Sequence, residues 1–109
     1  MNDQTAIDAL YACAAVCDYC AAACLNEDDV NSLTPCVGLD MDCAEICRTT
    51  ATLLARGSEH GEHMLKECIE VCEKCAAECD KHAAHMDHCR RCAEACRKCV
   101  AVCRELEHA

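Results

Sequence analysis

Cys68-Ile69-Glu70-Val71-Cys72-Glu73-Lys74-Cys75-Ala76-Ala77-Glu78-Cys79 places cysteines four, three and four residues apart, with a charged residue in every gap. An α-helix turns about 100° per residue, so this series stays within roughly 60° of arc on one helix face. No strand or loop accounts for the spacing as simply. The same spacing recurs at Cys13, Cys17, Cys20, Cys24 and at Cys92, Cys96, Cys99, Cys103, while Cys36, Cys43 and Cys47 form a shorter stripe.

Four helices follow, over about 3–25, 34–56, 58–83 and 86–107 of a 109-residue chain read as one domain. Thr34-Pro35 reads as an N-cap followed by proline at the first helical position, and Gly57 as a C-terminal stop. Ser58 is the expected cap of the third helix, and the polar stretch 26–32 reads as a loop. Short connections make sequence neighbours antiparallel. The expected fold is all-α, an up-down-up-down four-helix bundle with a cysteine-lined core.

The two halves look like copies of one helical hairpin. Adding 55 carries the first stripe onto the third, and adding 56 carries Cys36, Cys43 and Cys47 onto Cys92, Cys99 and Cys103. In this register Asp40 stands where the second half has Cys96, and Leu33 where it has Cys89. Asp40 is the one acid on a cysteine stripe.

Composition says what fills such a core. Sixteen residues are cysteine, Phe and Trp are absent and Tyr occurs twice, so most of the 53% hydrophobic share is small. The formal net charge of −10 repels phosphate backbones and argues against nucleic acid as a partner. The sequence shows no signal-peptide pattern and no apolar run read as a membrane span, so the expected location is cytoplasmic. Thiols stay reduced there, which favours metal over disulfides.

Residues four apart on a helix bring their side chains to about 6 Å, close enough to share an ion. Seven Cys-x-x-x-Cys pairs occur (13/17, 20/24, 43/47, 68/72, 75/79, 92/96 and 99/103), with Cys36 and Cys89 left over at one end. Two thiolates hold Cu(I) nearly linearly, and thiolate is the ligand that selects this soft ion. The expected cargo is therefore multiple Cu(I) ions, and no enzyme activity is read. A zinc or other soft-metal buffer is the alternative within the binding class; sixteen thiols would fill about four tetrahedral sites. An iron–sulfur electron-transfer protein and a thiol-redox sensor are the alternatives of other classes. A lone helical cysteine is usually just a small buried hydrophobe, but sixteen on aligned stripes are not explained that way.

The repeated Cys-x-x-x-Cys-x-x-Cys-x-x-x-Cys and the His-rich joint before Cys89-Arg90-Arg91-Cys92-Ala93-Glu94-Ala95-Cys96 resemble the bacterial cysteine-rich copper storage proteins. The resemblance covers nearly the whole chain. It implies a four-helix bundle holding many Cu(I) ions, a homotetramer, and a cytosolic location for members without an export signal. The second helix departs from the pattern with only three cysteines, which leaves the ion count open. The donor and the acceptor of the copper are not legible.

The bundle also has a direction. One pole collects Leu10, Leu54, Met64 and Leu106, with Ile7, Leu53 and Leu65, and reads as an apolar floor. The other collects Cys24, Cys36, Cys79 and Cys89 with His82, His85, Met86, His88, Met41 and Asp40. Histidine and methionine bind Cu(I) less tightly than a thiolate pair, so this second pole is the expected entrance. Asp40 is expected to accept a thiol hydrogen bond or to assist at the mouth. His60, His63 and His108 read as solvated.

Overall fold

A computed structural model describes residues 3–107, so His108 lies outside the described residues. The helices are α1 (Asp3–Leu25), α2 (Thr34–Ala55), α3 (Gly61–Asp80) and α4 (Asp87–Glu107), with one 3-10 turn at Val30–Leu33. Contacts run α1 to α2, α2 to α3, α3 to α4 and back to α1, a closed ring of four antiparallel neighbours. The bundle measures 43 × 19 × 18 Å. Four helices around a cysteine core is the expected fold, and the corrections fall at helix ends.

Leu33, not Thr34, precedes the first turn of α2; Thr34 lies inside it, its Oγ1 donating back to the Asn31 carbonyl at 3.4 Å. Ser58 does not cap α3. Its Oγ accepts from the His60 N–H at 3.2 Å, and the helix begins at Gly61. The third helix stops at Asp80 rather than Ala83, and 81–85 form turns. Gly57 terminates α2 as expected, with φ +69. The Ser58 N–H reaches the Leu53 carbonyl at 3.0 Å and the Gly57 N–H the Leu54 carbonyl at 3.1 Å, the paired bonds of a Schellman end.

All sixteen cysteines are buried. Alanines fill the gaps between stripes (Ala14, Ala44, Ala51, Ala76 and Ala93 among them), so the helices approach closely. Leu10 and Leu33 are the largest fully buried apolar side chains. Few large groups share the packing, so each matters. Leu10→Ala is expected to destabilise the metal-free protein by about 2–4 kcal/mol, read by reversible denaturant unfolding under reductant. A loss below half a kcal/mol would show that the floor can collapse around the gap.

The floor contains Leu10 and Leu65, both buried, with Leu54 and Leu106 partly buried beside them. Thr50 joins them, its Oγ1 donating to the Ile46 carbonyl at 2.7 Å. A cavity of about 600 Å³ opens at this pole between Leu54, Leu65 and Leu106, and no cysteine lines it.

The outer faces differ by hairpin. Along α3 and α4 the exposed residues are mostly charged, and Arg97–Asp80 (2.9 Å) and Arg104–Glu73 (2.8 Å) tie the two together. The exposed large hydrophobics, Tyr11, Tyr19, Leu25 and Met41, all lie on α1 and α2. Among the described residues α1 alone is long and apolar enough to cross a membrane, which corrects the expectation of no such stretch. The cause is its cysteine and alanine, which count as apolar. Its inner face is the cysteine stripe.

Candidate metal centre

Each stripe points its sulfurs at the bundle axis, because a four-three-four series keeps one helical face and the ring of four helices closes over it. Four of the seven intrahelical pairs lie within contact: Cys13–Cys17, Cys43–Cys47 and Cys68–Cys72 at 3.9 Å, and Cys99–Cys103 at 4.0 Å. The closest approaches, however, run between helices. Cys43–Cys72 is 3.5 Å, and Cys36–Cys79, Cys47–Cys68 and Cys47–Cys72 are each 3.6 Å. Cys92 lies 3.7 Å from Cys17, and Cys96 lies 3.8 Å from both Cys13 and Cys17. The pairs thus merge into one column of sulfur, in which a single thiol such as Cys43 faces three others.

Asp40 sits fully buried inside the column. Its Oδ1 accepts thiols from Cys75 (3.1 Å), Cys92 (3.3 Å) and Cys79 (3.5 Å), and Oδ2 lies 3.8 Å from Cys36. The expected thiol hydrogen bond is there, threefold. Burial, then the Cys92 and Cys75 sulfurs, push this carboxyl up to about 10, so it is neutral at physiological pH. A side chain that departs from the stripe pattern in sequence is the electrostatic outlier in space.

Toward the pole opposite the leucine floor Cys20, Cys24, Cys36 and Cys89 form a quartet whose sulfurs all lie within 4.8 Å of one another. Burial pushes Cys89 up to about 11 and Cys24 up as well. Cys36 goes the other way, drawn down to about 3 by thiol hydrogen bonds from Cys20 and then Cys79. Thiols in contact within the quartet are thus pushed in opposite directions.

The other expected mouth residues separate. His88, in the first turn of α4, brings Nδ1 to 3.5 Å from Cys89, 3.6 Å from Cys20 and 3.8 Å from Cys24. It is one residue off the stripe, yet its ring reaches across the quartet. His82 is half-buried, with Nε2 shielded 3.5 Å from Glu78 Oε2 but without a hydrogen bond. Met86 packs partly buried against the thiol core. His85 and Met41 are exposed, and Met41 lies on the outward face of α2. His60 and His63 are exposed, as expected. Glu27, which the sequence reading passed over, lies 3.1 Å from His88 Nε2. It sits among acids in a polar loop, and nothing local distinguishes it from Asp28 or Asp29.

The chain matches the family model described as copper storage protein over residues 1–108. It is similar to a cytosolic copper storage protein from Streptomyces lividans, solved in a copper-loading study with five coppers. The two are 41% identical, over 98% of this chain and 92% of that one, with a TM-score of 0.95. It is also similar to the Cu(I)-bound copper storage protein BsCsp3 of Bacillus subtilis, at 33% identity over 96% of this chain and 97% of that one, with a TM-score of 0.90. An uncharacterized cysteine-rich protein of Bacillus subtilis, YhjQ, is 34% identical over 70 residues, which span 64% of this chain and 65% of that protein's length.

Proposed function

We propose, from the premise that this chain belongs to the copper storage protein family, that it stores multiple Cu(I) ions on the thiolates of its central column. The observation that carries this is the column itself: sixteen free, buried cysteines, many with sulfurs 3.5–4.0 Å apart and others gathered in groups within 4.8 Å. Soft thiolate ligands select Cu(I), and burial keeps the ion from redox cycling. Each sulfur must shed its proton to bind, so loading releases acid. The role is binding rather than catalysis, suited to the reducing cytoplasm, where free thiols persist.

The ligands in this reading are the sixteen cysteines, with Asp40 as an oxygen donor inside the column. The quartet pole is the entrance, where His88, His82 and Met86 receive the ion and pass it inward. Substituting His82 and His88 and timing loading and removal tests that role; unchanged rates refute it. His85 and Met41 have weaker support, being exposed. Assembly of copies is supported by the outer face of α1, where only 39% of an apolar stretch is buried and Tyr11 and Tyr19 are exposed. Helices apolar on all sides are normally covered. A homotetramer through this hairpin face is the assembly we infer.

A zinc buffer is favoured by one specific observation. A tetrahedral site with zinc–sulfur bonds of about 2.3 Å has edges near 3.8 Å, close to the sulfur spacings here. Anaerobic titration of the reduced protein with Cu(I) against a competing chelator separates the readings. A stoichiometry near one ion per cysteine is expected. Saturation near four ions would favour zinc-type sites, and no tight binding would remove both.

A further inference from the structure

We propose that Glu27 is the positioning residue of the quartet pole: it holds the His88 ring with Nδ1 aimed into the Cys20–Cys24–Cys36–Cys89 quartet. The inference rests on the copper reading of that quartet and extends it to a residue that touches no sulfur.

Two opposed faces of one ring carry the argument. Nε2 lies 3.1 Å from Glu27 Oε2, while Nδ1 lies 3.5–3.8 Å from three thiol sulfurs. A neutral imidazole has one N–H, and a carboxylate can only accept. The proton therefore sits on Nε2 and donates to Glu27. The lone pair of Nδ1 is left facing the sulfurs, the orientation in which it can meet a soft cation. Carboxylates behind metal-binding histidines act in this way, fixing tautomer and ring angle and raising the basicity of the free nitrogen.

The backbone places Glu27 for this task. Its N–H donates to the Cys24 carbonyl at 3.2 Å, extending the end of α1 by a turn just past Cys24. Asp29 is occupied otherwise, its carboxylate accepting from Ser32 Oγ at 2.8 Å. The His88 side chain is 12% exposed and that of Glu27 38%, so the pair bridges from solvent to the sulfurs. His82 lacks such an anchor: its Nε2 faces Glu78 at 3.5 Å without a hydrogen bond. Without Glu27, the ring would be held from its Nδ1 edge alone, by the weaker thiol contacts.

The test has two parts. In the reduced, metal-free protein, nitrogen-15 NMR of the histidine rings is expected to show His88 as the Nε2–H tautomer. Glu27→Ala is expected to convert this to a mixture, with Glu27→Asp retaining it in part. In Cu(I) transfer from a chelate, Glu27→Ala is expected to slow the first phase of loading about tenfold, within the range for such supporting residues. Final capacity should be unchanged. The slowing must vanish in a His88→Ala background, since Glu27 acts only through the ring. An unaltered tautomer in Glu27→Ala overturns the proposal whether or not copper binds. So does a tenfold slowing that persists without His88. If the wild-type protein takes up no Cu(I), the storage reading fails, and the tautomer measurement still decides the role of Glu27.

Discussion

Loading with Cu(I) is expected to raise the melting temperature of the protein by more than about 20 °C, the largest single effect on its stability. The metal-free core contains sixteen thiols and a set of alanines, with Leu10 and Leu33 as its largest fully buried apolar groups. Such a core removes little apolar surface per residue from water. Each ion present at a thousand times its dissociation constant adds about 4 kcal/mol to the folded state. Several ions together would exceed the whole stability of an ordinary domain, about 5–15 kcal/mol. Binding to cysteines of the unfolded chain subtracts from this, because they are ligands there too. What the unfolded chain lacks is the alignment that lets one sulfur serve several ions. Far-UV circular dichroism under anaerobic conditions gives the comparison, and a strong Cu(I) chelator should reverse the gain. Equal melting temperatures would mean that the folded column binds no better than a flexible chain.

The second large effect is expected from Asp40→Asn, and it grows with pH. The folded protein holds the Asp40 proton up to about 10, against 3.8 for an ordinary aspartate. Between those values the folded state binds more protons than the unfolded state, so stability falls as pH rises. The contribution of this group is complete below pH 3.8 and is lost progressively toward pH 10. The ideal slope is about 1.4 kcal/mol per pH unit. Asparagine keeps the shape and carries no proton to lose. Reduced, metal-free Asp40→Asn should therefore match wild type near pH 4 and exceed it by roughly 2–4 kcal/mol at pH 8. Denaturant unfolding at the two pH values reads the difference. Parallel pH dependences would show that the acid is ionised in the folded protein and held by some other charge.

The cysteine spacing was enough to place three helices and their inward faces, because a four-three-four series has only one geometric solution; the shorter stripe of α2 needed Thr34-Pro35 and Gly57 beside it. Gly57 was legible for a similar reason: a stop after a long helix favours the residue that tolerates positive φ. The ends at Thr34, Ser58 and Asp80 were not. Each depends on a hydrogen bond to a partner that only the folded turn supplies, such as Ser58 Oγ with the His60 N–H. In the column, the sequence yields pairs within a helix, whereas cross-helix contacts such as Cys43–Cys72 depend on axial register between helices. Asp40 announced itself by breaking the duplicated pattern. Glu27 did not, since its partner lies 61 residues away. Met41 shows the converse failure. Proximity in sequence to the quartet pole says nothing of the side on which a helical residue projects.

The leucine floor has a kinetic corollary. In the proposed reading, a sulfur column closed by leucines at one pole and entered at the other is a dead-end tube, and cargo within it moves in single file. Ions that arrive first are pushed toward Cys68, Cys99 and Cys103; ions that arrive last remain beside Cys24 and Cys89. Withdrawal then runs in the reverse order of deposit, as from a stack. Removal by a chelator should be multiphasic, with a fast fraction from the quartet and a slow one from the depths. Such a protein keeps two accounts of its metal at once, a current one near the mouth and a reserve below it.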